Sequence, residues 1–385
     1  MGEKESRPVP MAKAESPTGT LPTRNKTPAV LICETAGDLP AIASLTTLDR
    51  LLVATFRAGC DPIYVVCHGP LPTLRRAPAL EVPFSVVTDA PTPNGPAFIA
   101  STRVLLTAGD VQRLVETRSR LALDGQPAPA GFTPHFSGQL ERDLAGQPEM
   151  PATGVAAVIS DKASGRDSTR TLWASLTSSS DGIVDRHFNR PVGRPLSKLL
   201  IHTPITPNQI SIAATLLGIL AAVGFGAGNY SAAIIGAILL QVSAILDCVD
   251  GDVARVVFKE SPLGKWLDIV GDQIVHIGVF VGIGIGLWRA GTSGPVLALA
   301  VSAGAGVVIS FAVVIRGLLN PKLQKNTALQ RLIDATTNRD FSVLLIGLAL
   351  IGRLEWFLWL AAFGVHVFWI LALSLQFSRR PQVAA

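Results

Sequence analysis

Beyond position 205 the chain is a series of long apolar stretches separated by short polar turns. Runs at roughly 207–227, 231–256, 263–288, 294–317 and 356–377 are each long enough to cross a hydrocarbon layer about 30 Å thick as a helix. A sixth run, 341–352 extended by its neighbours, is interrupted by Arg353 and Glu355. Ahead of these the pattern changes. Pro28-Ala-Val-Leu-Ile-Cys-Glu34 is a short continuous apolar run of the kind a buried strand carries, and Ser44 to Ala58 has helical periodicity. Pro62-Ile-Tyr-Val-Val-Cys-His68 and Val82 to Asp89 read as second and third strands.

Strand, helix, strand in this order predicts a parallel sheet. The expected architecture is an α-helical membrane bundle of six transmembrane helices preceded by a soluble α/β Rossmann-like domain. The boundaries read as a disordered tail over 1–27, the α/β domain over 28–177, a juxtamembrane amphipathic helix over 178–205, the transmembrane domain over 206–378 and a tail over 379–385. Within the α/β region, 119–153 holds Pro127, Pro129, Pro134, Pro148 and Pro151 and is expected to be an irregular connection or an excursion of the soluble domain. Asp181 to Lys198 reads as the amphipathic helix, lying in the membrane interface. Thr203-Pro-Ile-Thr-Pro-Asn-Gln-Ile-Ser211 starts the first span, with Pro207 at the first helical position after a Thr206 cap. The composition agrees: 48% of the 385 residues are hydrophobic and the mean hydropathy is +0.41.

Candidate chemistry stands out against this apolar background. Asp247, Asp250, Asp268 and Asp272 fall in two of the predicted spans, where each carboxylate would cost roughly 2.5 kcal/mol or more if left uncompensated near the bilayer centre. The first two are three apart and the last two four apart, so each pair projects from one face of its helix. The polar turn Lys259-Glu260-Ser261-Pro262 would bring the pairs together. Hard oxygen ligands of this kind suit Mg²⁺ or Mn²⁺, and no soft Cys/His set lies nearby. The alternative is that these aspartates end helices or pair with Arg255, Lys259 and Lys265. The four cysteines, Cys33, Cys60, Cys67 and Cys248, show neither metal spacing nor a paired framework, which fits a reducing compartment.

Asp247, Asp250, Gly251, Ala254, Arg255, Gly264, Asp268 and Asp272 form the pattern D-x2-D-G-x2-A-R-x8-G-x3-D-x3-D. It resembles, at every position, the signature of the CDP-alcohol phosphotransferases, integral-membrane enzymes of phospholipid synthesis. The resemblance covers roughly 181–378. It implies that Asp247, Asp250 and Asp268 hold a pair of divalent ions, Mg²⁺ or Mn²⁺, against the pyrophosphate of a CDP-linked lipid donor. Asp272 is implied as general base for an acceptor hydroxyl. Gly251, Ala254, Arg255 and Gly264, together with Asn208 and Ser211 of a Pro-Asn-x-x-Ser start, are implied to shape the donor pocket. In relatives that use polyol phosphates such as inositol phosphate, basic residues bind the acceptor phosphate; Arg190, Arg194, Lys198, Arg316 and Arg339 are the candidates here. The same residues also fit lipid-headgroup contact or a positive-inside bias.

The run from Leu45 to Gly59 followed by Ile63-Tyr-Val-Val resembles the second unit of sugar-nucleotidyltransferases, a domain fused to some CDP-alcohol phosphotransferases in inositol-phosphate pathways. One departure matters. Where that family places a glycine-rich, basic phosphate loop, this chain has Glu34-Thr-Ala-Gly-Asp-Leu-Pro40, with one glycine and no Lys or Arg. Little is left to hold a triphosphate. The expected role is scaffolding, regulation or dimerisation, and a domain that still makes a CDP-alcohol is the alternative. Asp110 either echoes a metal aspartate or is a helix N-cap.

Net charge is +5, and the basic residues gather before the first span, between the second and third, between the fourth and fifth, and at the C-terminus; the opposite loops carry only Arg289 and Arg353. This asymmetry places both termini and the aspartates on the cytoplasmic side, in a cell inner membrane. It suits an anionic lipid surface, not nucleic acid, for which one basic patch would be needed. Gly304 and Gly306 would permit close contact with a second copy in a homodimer, or packing within one chain. A non-enzymatic divalent-cation membrane protein is the remaining alternative.

Overall fold

The computed structural model describes residues 27–33, 40–89, 95–177, 181–320, 329, 332 and 340–377. Most of the phosphate-loop stretch, Glu34 to Leu39, lies outside them, as does Arg339.

The N-terminal half is an α/β unit. Its elements are β1 (Ala29–Ile32), α1 (Thr47–Arg57), β2 (Ile63–Val66), α2 (Arg76–Ala79), β3 (Ser85–Val87), β4 (Ala97–Ser101), β5 (Val104–Leu105), α3 (Ala108–Thr117), β6 (Arg120–Leu123), β7 (Gln126–Thr133), α4 (Leu140–Leu144), β8 (Glu149–Pro151), β9 (Ala157–Val158) and α5 (Lys162–Ser175). Seven strands form one sheet in the order β3-β2-β1-β4-β7-β6-β8. β1 runs parallel to both β2 and β4, with Leu31 opposite Val65 and Ala100. β7 then pairs antiparallel with β4 and β6. Leu31, Leu51, Leu52, Phe98, Leu114 and Leu121 form the core.

Of the two readings of 119–153, the excursion of the soluble domain agrees with the structure: β6, β7 and β8 belong to the sheet, and the segment is not an irregular connection. Pro127 and Pro129 lie in β7 outside the stretch 130–133 that pairs with β4. Two residues apart, their ring nitrogens face the same side, where that part of the strand has no ladder to supply, so proline is tolerated. Asp110 is not the cap of its helix but lies in the first turn. Thr107 is the cap of α3, and the buried Asp110 carboxylate accepts from Thr107 Oγ1 (2.6 Å), Arg113 Nη2 (2.9 Å) and the Thr153 amide (2.8 Å).

A π-helical turn, Asp185–Asn189, leads into α6 (Arg190–Leu200). This pair inverts the usual amphipathic arrangement: Asn189, Arg190 and Ser197 are buried against the protein, while Phe188, Val192, Leu196 and Leu199 are exposed. An outward apolar stripe at three- and four-residue spacing fits a helix lying in the membrane interface. Asp340 accepts from the amides of Ile183 (2.8 Å) and Val184 (3.1 Å), capping the start of this segment.

The bundle follows as α7 (Pro207–Gly226), α8 (Tyr230–Val256), α9 (Pro262–Arg289), α10 (Val296–Leu319), α11 (Phe341–Leu350) and α12 (Leu354–Phe377). Five of these, all but α11, are long and apolar enough to cross a membrane. α11 has ten residues, about 15 Å of helix against the roughly 30 Å needed, so among the described residues five of the six expected spans are full-length helices and the sixth is represented by this short one. Its end is fixed by Gly352, whose φ of +66° turns the chain into α12. α7 and α9 approach backbone to backbone: a methyl group at Gly282 or Gly286 would run into the carbonyls of Ala222 and Phe225. Val223 (66%), Val301 (70%) and Phe363 (73%) mark the outward apolar surface.

Candidate active site

The site is built where α8 ends and α9 begins. α9 starts at Pro262, with Ser261 as its cap accepting from the Gly264 amide at 3.0 Å. α7 starts beside it with Thr206 as cap, Gln209 closing a capping box and Pro207 first in the helix. Three helix ends therefore converge, and each brings residues singled out in the sequence.

Oxygen atoms of Asp247, Asp250 and Asp268 lie within 4.8 Å of one another. Asp250 is buried, Asp247 half-buried and Asp268 exposed, so the cluster opens to one side. Three hard carboxylate oxygens at this separation fit Mg²⁺ or Mn²⁺. The Ser211 hydroxyl of α7 lies in a very short contact with Asp250 Oδ2. Asn208 also reaches the junction, since a β-carbon at Gly264 would come 2.7 Å from its Oδ1. Gly251 faces the guanidinium of Arg255, where a β-carbon would sit 3.0 Å from Nη2. Ala254 is half-buried one helical turn along. Asp272 lies on α9 one turn beyond Asp268, half-buried and outside the group of three.

Four of the basic candidates lie among the described residues, and each has a partner. Arg190 is buried, with Nε 2.7 Å and Nη2 2.8 Å from the two Asp181 oxygens and Nη1 2.6 Å from Asp252 Oδ1. Burial alone would lower its pKa, but the two carboxylates outweigh it and hold the group above the ordinary arginine value. Arg194 donates to Thr177 Oγ1 at 3.0 Å, and Lys198 lies over the Trp173 ring at 5.9 Å, so both face the end of α5. Arg316 stacks over Phe377 at 4.9 Å.

Two features escaped the sequence reading. Asp252 is the buried partner of Arg190 and also lies 3.4 Å from Arg255. Ser342 donates to Gln241, Gln241 to Asn189 and Asn189 to Asp185, a buried chain that ties α11, α8 and the π-helical turn together. A glutamine in the middle of an apolar helix was the available signal, because such a group needs partners.

With this geometry in place, comparison with known proteins is informative. Residues 204–370 match the family model for CDP-alcohol phosphatidyltransferase. These residues are a CDP-alcohol phosphatidyltransferase domain. Its relatives include proteins named bifunctional IPC transferase and DIPP synthase, from Aquifex aeolicus and Thermococcus kodakarensis, each 38% identical over 95 residues, or 25% of this chain and 21% of the relative. The archaetidylinositol phosphate synthase of Pyrococcus horikoshii is 36% identical over 91 residues, or 24% of this chain and 47% of that one. The chain thus spans less than half the length of these relatives. A crystal structure of Mycobacterium tuberculosis phosphatidylinositol phosphate synthase with CDP-DAG bound overlays 51% of this chain and 98% of that one, at 16% identity and a TM-score of 0.36. All the signature residues fall inside the transferase domain.

Proposed function

We propose that the protein transfers a phosphatidyl or related phosphoalcohol group from a CDP-linked donor such as CDP-diacylglycerol to an alcohol hydroxyl, releasing CMP. The observation that carries this is the three carboxylates within 4.8 Å inside the matched transferase domain. Asp247, Asp250 and Asp268 would hold two divalent ions, Mg²⁺ or Mn²⁺. When bound, such ions neutralise charge on the pyrophosphate and on the departing CMP. Asn208, Ser211, Gly251, Ala254, Arg255 and Gly264 line the donor side, with Ser211 orienting Asp250.

Asp272 accepts the acceptor's hydroxyl proton. The freed oxygen attacks the phosphorus that carries the lipid alcohol, a new P–O bond forms, and the P–O bond to CMP breaks with its electron pair leaving on CMP. The acceptor is of the inositol-phosphate type, supported by the name of the Pyrococcus relative. Of the basic candidates, Arg194, Lys198, Arg316 and Arg339 remain available for its phosphate, whereas Arg190 serves the fold. α11 belongs to a sixth span, and the aspartates face the cytoplasm in the cell membrane.

The test is CMP release by purified full-length protein with Mg²⁺ or Mn²⁺ and CDP-diacylglycerol, screened against inositol, inositol 1-phosphate, glycerol 3-phosphate and serine. Acceptor-dependent CMP that disappears in Asp272→Asn supports the reading. Cation uptake without CDP dependence, and no CMP from any pair, would replace it with the transport alternative.

A further inference from the structure

The turn that joins the two aspartate helices is gripped by the α/β domain. α8 ends with Phe258 at φ +55°, and the Lys259 amide bonds back to the Ala254 carbonyl at 2.8 Å. This is a helix ending whose left-handed residue is usually glycine, the residue that adopts it without steric penalty. Here it is phenylalanine, and its ring and carbonyl are both engaged by the other domain.

Arg76 donates to the Phe258 carbonyl through Nε at 2.9 Å and Nη2 at 2.5 Å. The guanidinium carbons of Arg50 and Arg57 lie 5.5 and 5.1 Å from the Phe258 ring centroid, and Arg57 pairs with Glu260 at 2.7 Å. These arginines are themselves fixed. Arg50 is buried and donates to the Ile42 carbonyl at 2.9 and 2.7 Å. Asp49, fully buried on α1, accepts from the amides of Arg75 (3.0 Å), Arg76 (2.8 Å) and Ala77 (2.6 Å), which sets where α2 begins and hence where Arg76 stands. Phe258 packs against the core of the α/β unit and also against a second cluster in which Ala43, Leu45 and Trp173 meet Ile210, Val249 and Val253.

We propose that Phe258 and Arg76 are positioning residues: the α/β domain acts as a clamp that sets the separation of Asp247 and Asp250 from Asp268 through the five-residue turn between their helices. This gives the domain a role in phosphotransfer that requires no nucleotidyl chemistry of its own. The proposal rests on the three carboxylates being a divalent-ion site.

The experiment is Mn²⁺ binding by the full-length protein in detergent, read from the loss of the free-Mn²⁺ electron paramagnetic resonance signal. Phe258→Gly discriminates most sharply. A mere helix ending is eased by glycine, so a purely local role predicts Mn²⁺ affinity within twofold of wild type. The clamp predicts affinity weaker by about tenfold, the scale on which supporting residues act on metal sites. Arg76→Ala is expected to do the same with unchanged elution and helical content. Should that variant aggregate, Arg76→Lys, which keeps the charge and loses the two-pronged grip, is expected to fall between. Wild-type affinity in Phe258→Gly and the Arg76 variants overturns the clamp while leaving the metal site standing. Absence of Mn²⁺ binding in the wild type, equal to Asp250→Asn, overturns the metal reading and the clamp with it.

Discussion

Arg190→Ala separates a structural arginine from a substrate-binding one. The Arg190, Asp252 and Asp181 side chains are 9%, 1% and 11% exposed, so truncation takes from two little-exposed carboxylates the cation they share. Breaking a buried pair by removing one partner costs about 3–5 kcal/mol. Asp181 keeps a route to solvent and Asp252 keeps Arg255 at 3.4 Å, which points to the lower end, about 3 kcal/mol. For a unit the size of the transferase domain, that corresponds to a melting shift of roughly 6–12 °C. The assay is size exclusion of detergent-solubilised protein after heating. Adding Asp252→Asn to Arg190→Ala removes one orphaned charge and is expected to recover part of the loss. A shift under about 2 °C, accompanied by a raised KM for a phosphorylated acceptor, would refute this assignment and return Arg190 to the acceptor site.

Asp247→Asn and Asp268→Asn are expected to weaken Mn²⁺ binding at least about tenfold, whereas Asp272→Asn should keep the metal and lose about 10²–10⁴ in turnover; equal loss of metal in all three would contradict the division of roles. In Gly264→Ala the new methyl group meets Asn208 Oδ1 at 2.7 Å and Ser261 Oγ at 3.0 Å. KM for the CDP donor should rise, and Asn208→Ala in the same chain should relieve part of the change; strict additivity in that double-mutant cycle would show that the two residues act separately. Asp110 is an acid-stability group: burial alone would raise its pKa, but hydrogen bonds from Thr107, Thr153 and Arg113 hold it below 3.8. A carboxyl depressed on folding contributes fully above its unfolded value and loses that contribution as pH falls through the folded one. Melting curves of wild type and Asp110→Asn should therefore converge below about pH 3.8, and a constant gap down to pH 2.5 would rule this out.

What the sequence revealed and what it hid divide along physical lines. The aspartates were legible because carboxylates inside apolar runs are costly and their spacing fixes their faces, and the structure does bring Asp247, Asp250 and Asp268 together. Ser211 and Asn208 were legible only through the resemblance; their contacts with Asp250 and beside Gly264 depend on three helix ends meeting. The ion pair of Arg190 was not legible, because a basic residue near a membrane surface looks the same whether it awaits a phosphate or pairs with Asp252, 62 positions away. The strands between 119 and 151 were hidden by prolines, of which Pro127 and Pro129 sit where β7 has only one neighbour. Nor could periodicity show that Phe258 occupies a left-handed position, since that position is usually held by glycine.

The proposed function rests on the carboxylates holding metal, and the most direct measurement is anomalous scattering from Mn²⁺ in crystals of the full-length protein. The prediction is manganese density bounded by Asp247, Asp250 and Asp268, lost in Asp250→Asn. Density elsewhere in the protein with none among these three residues, at millimolar Mn²⁺ and with a CDP-lipid present, would contradict it.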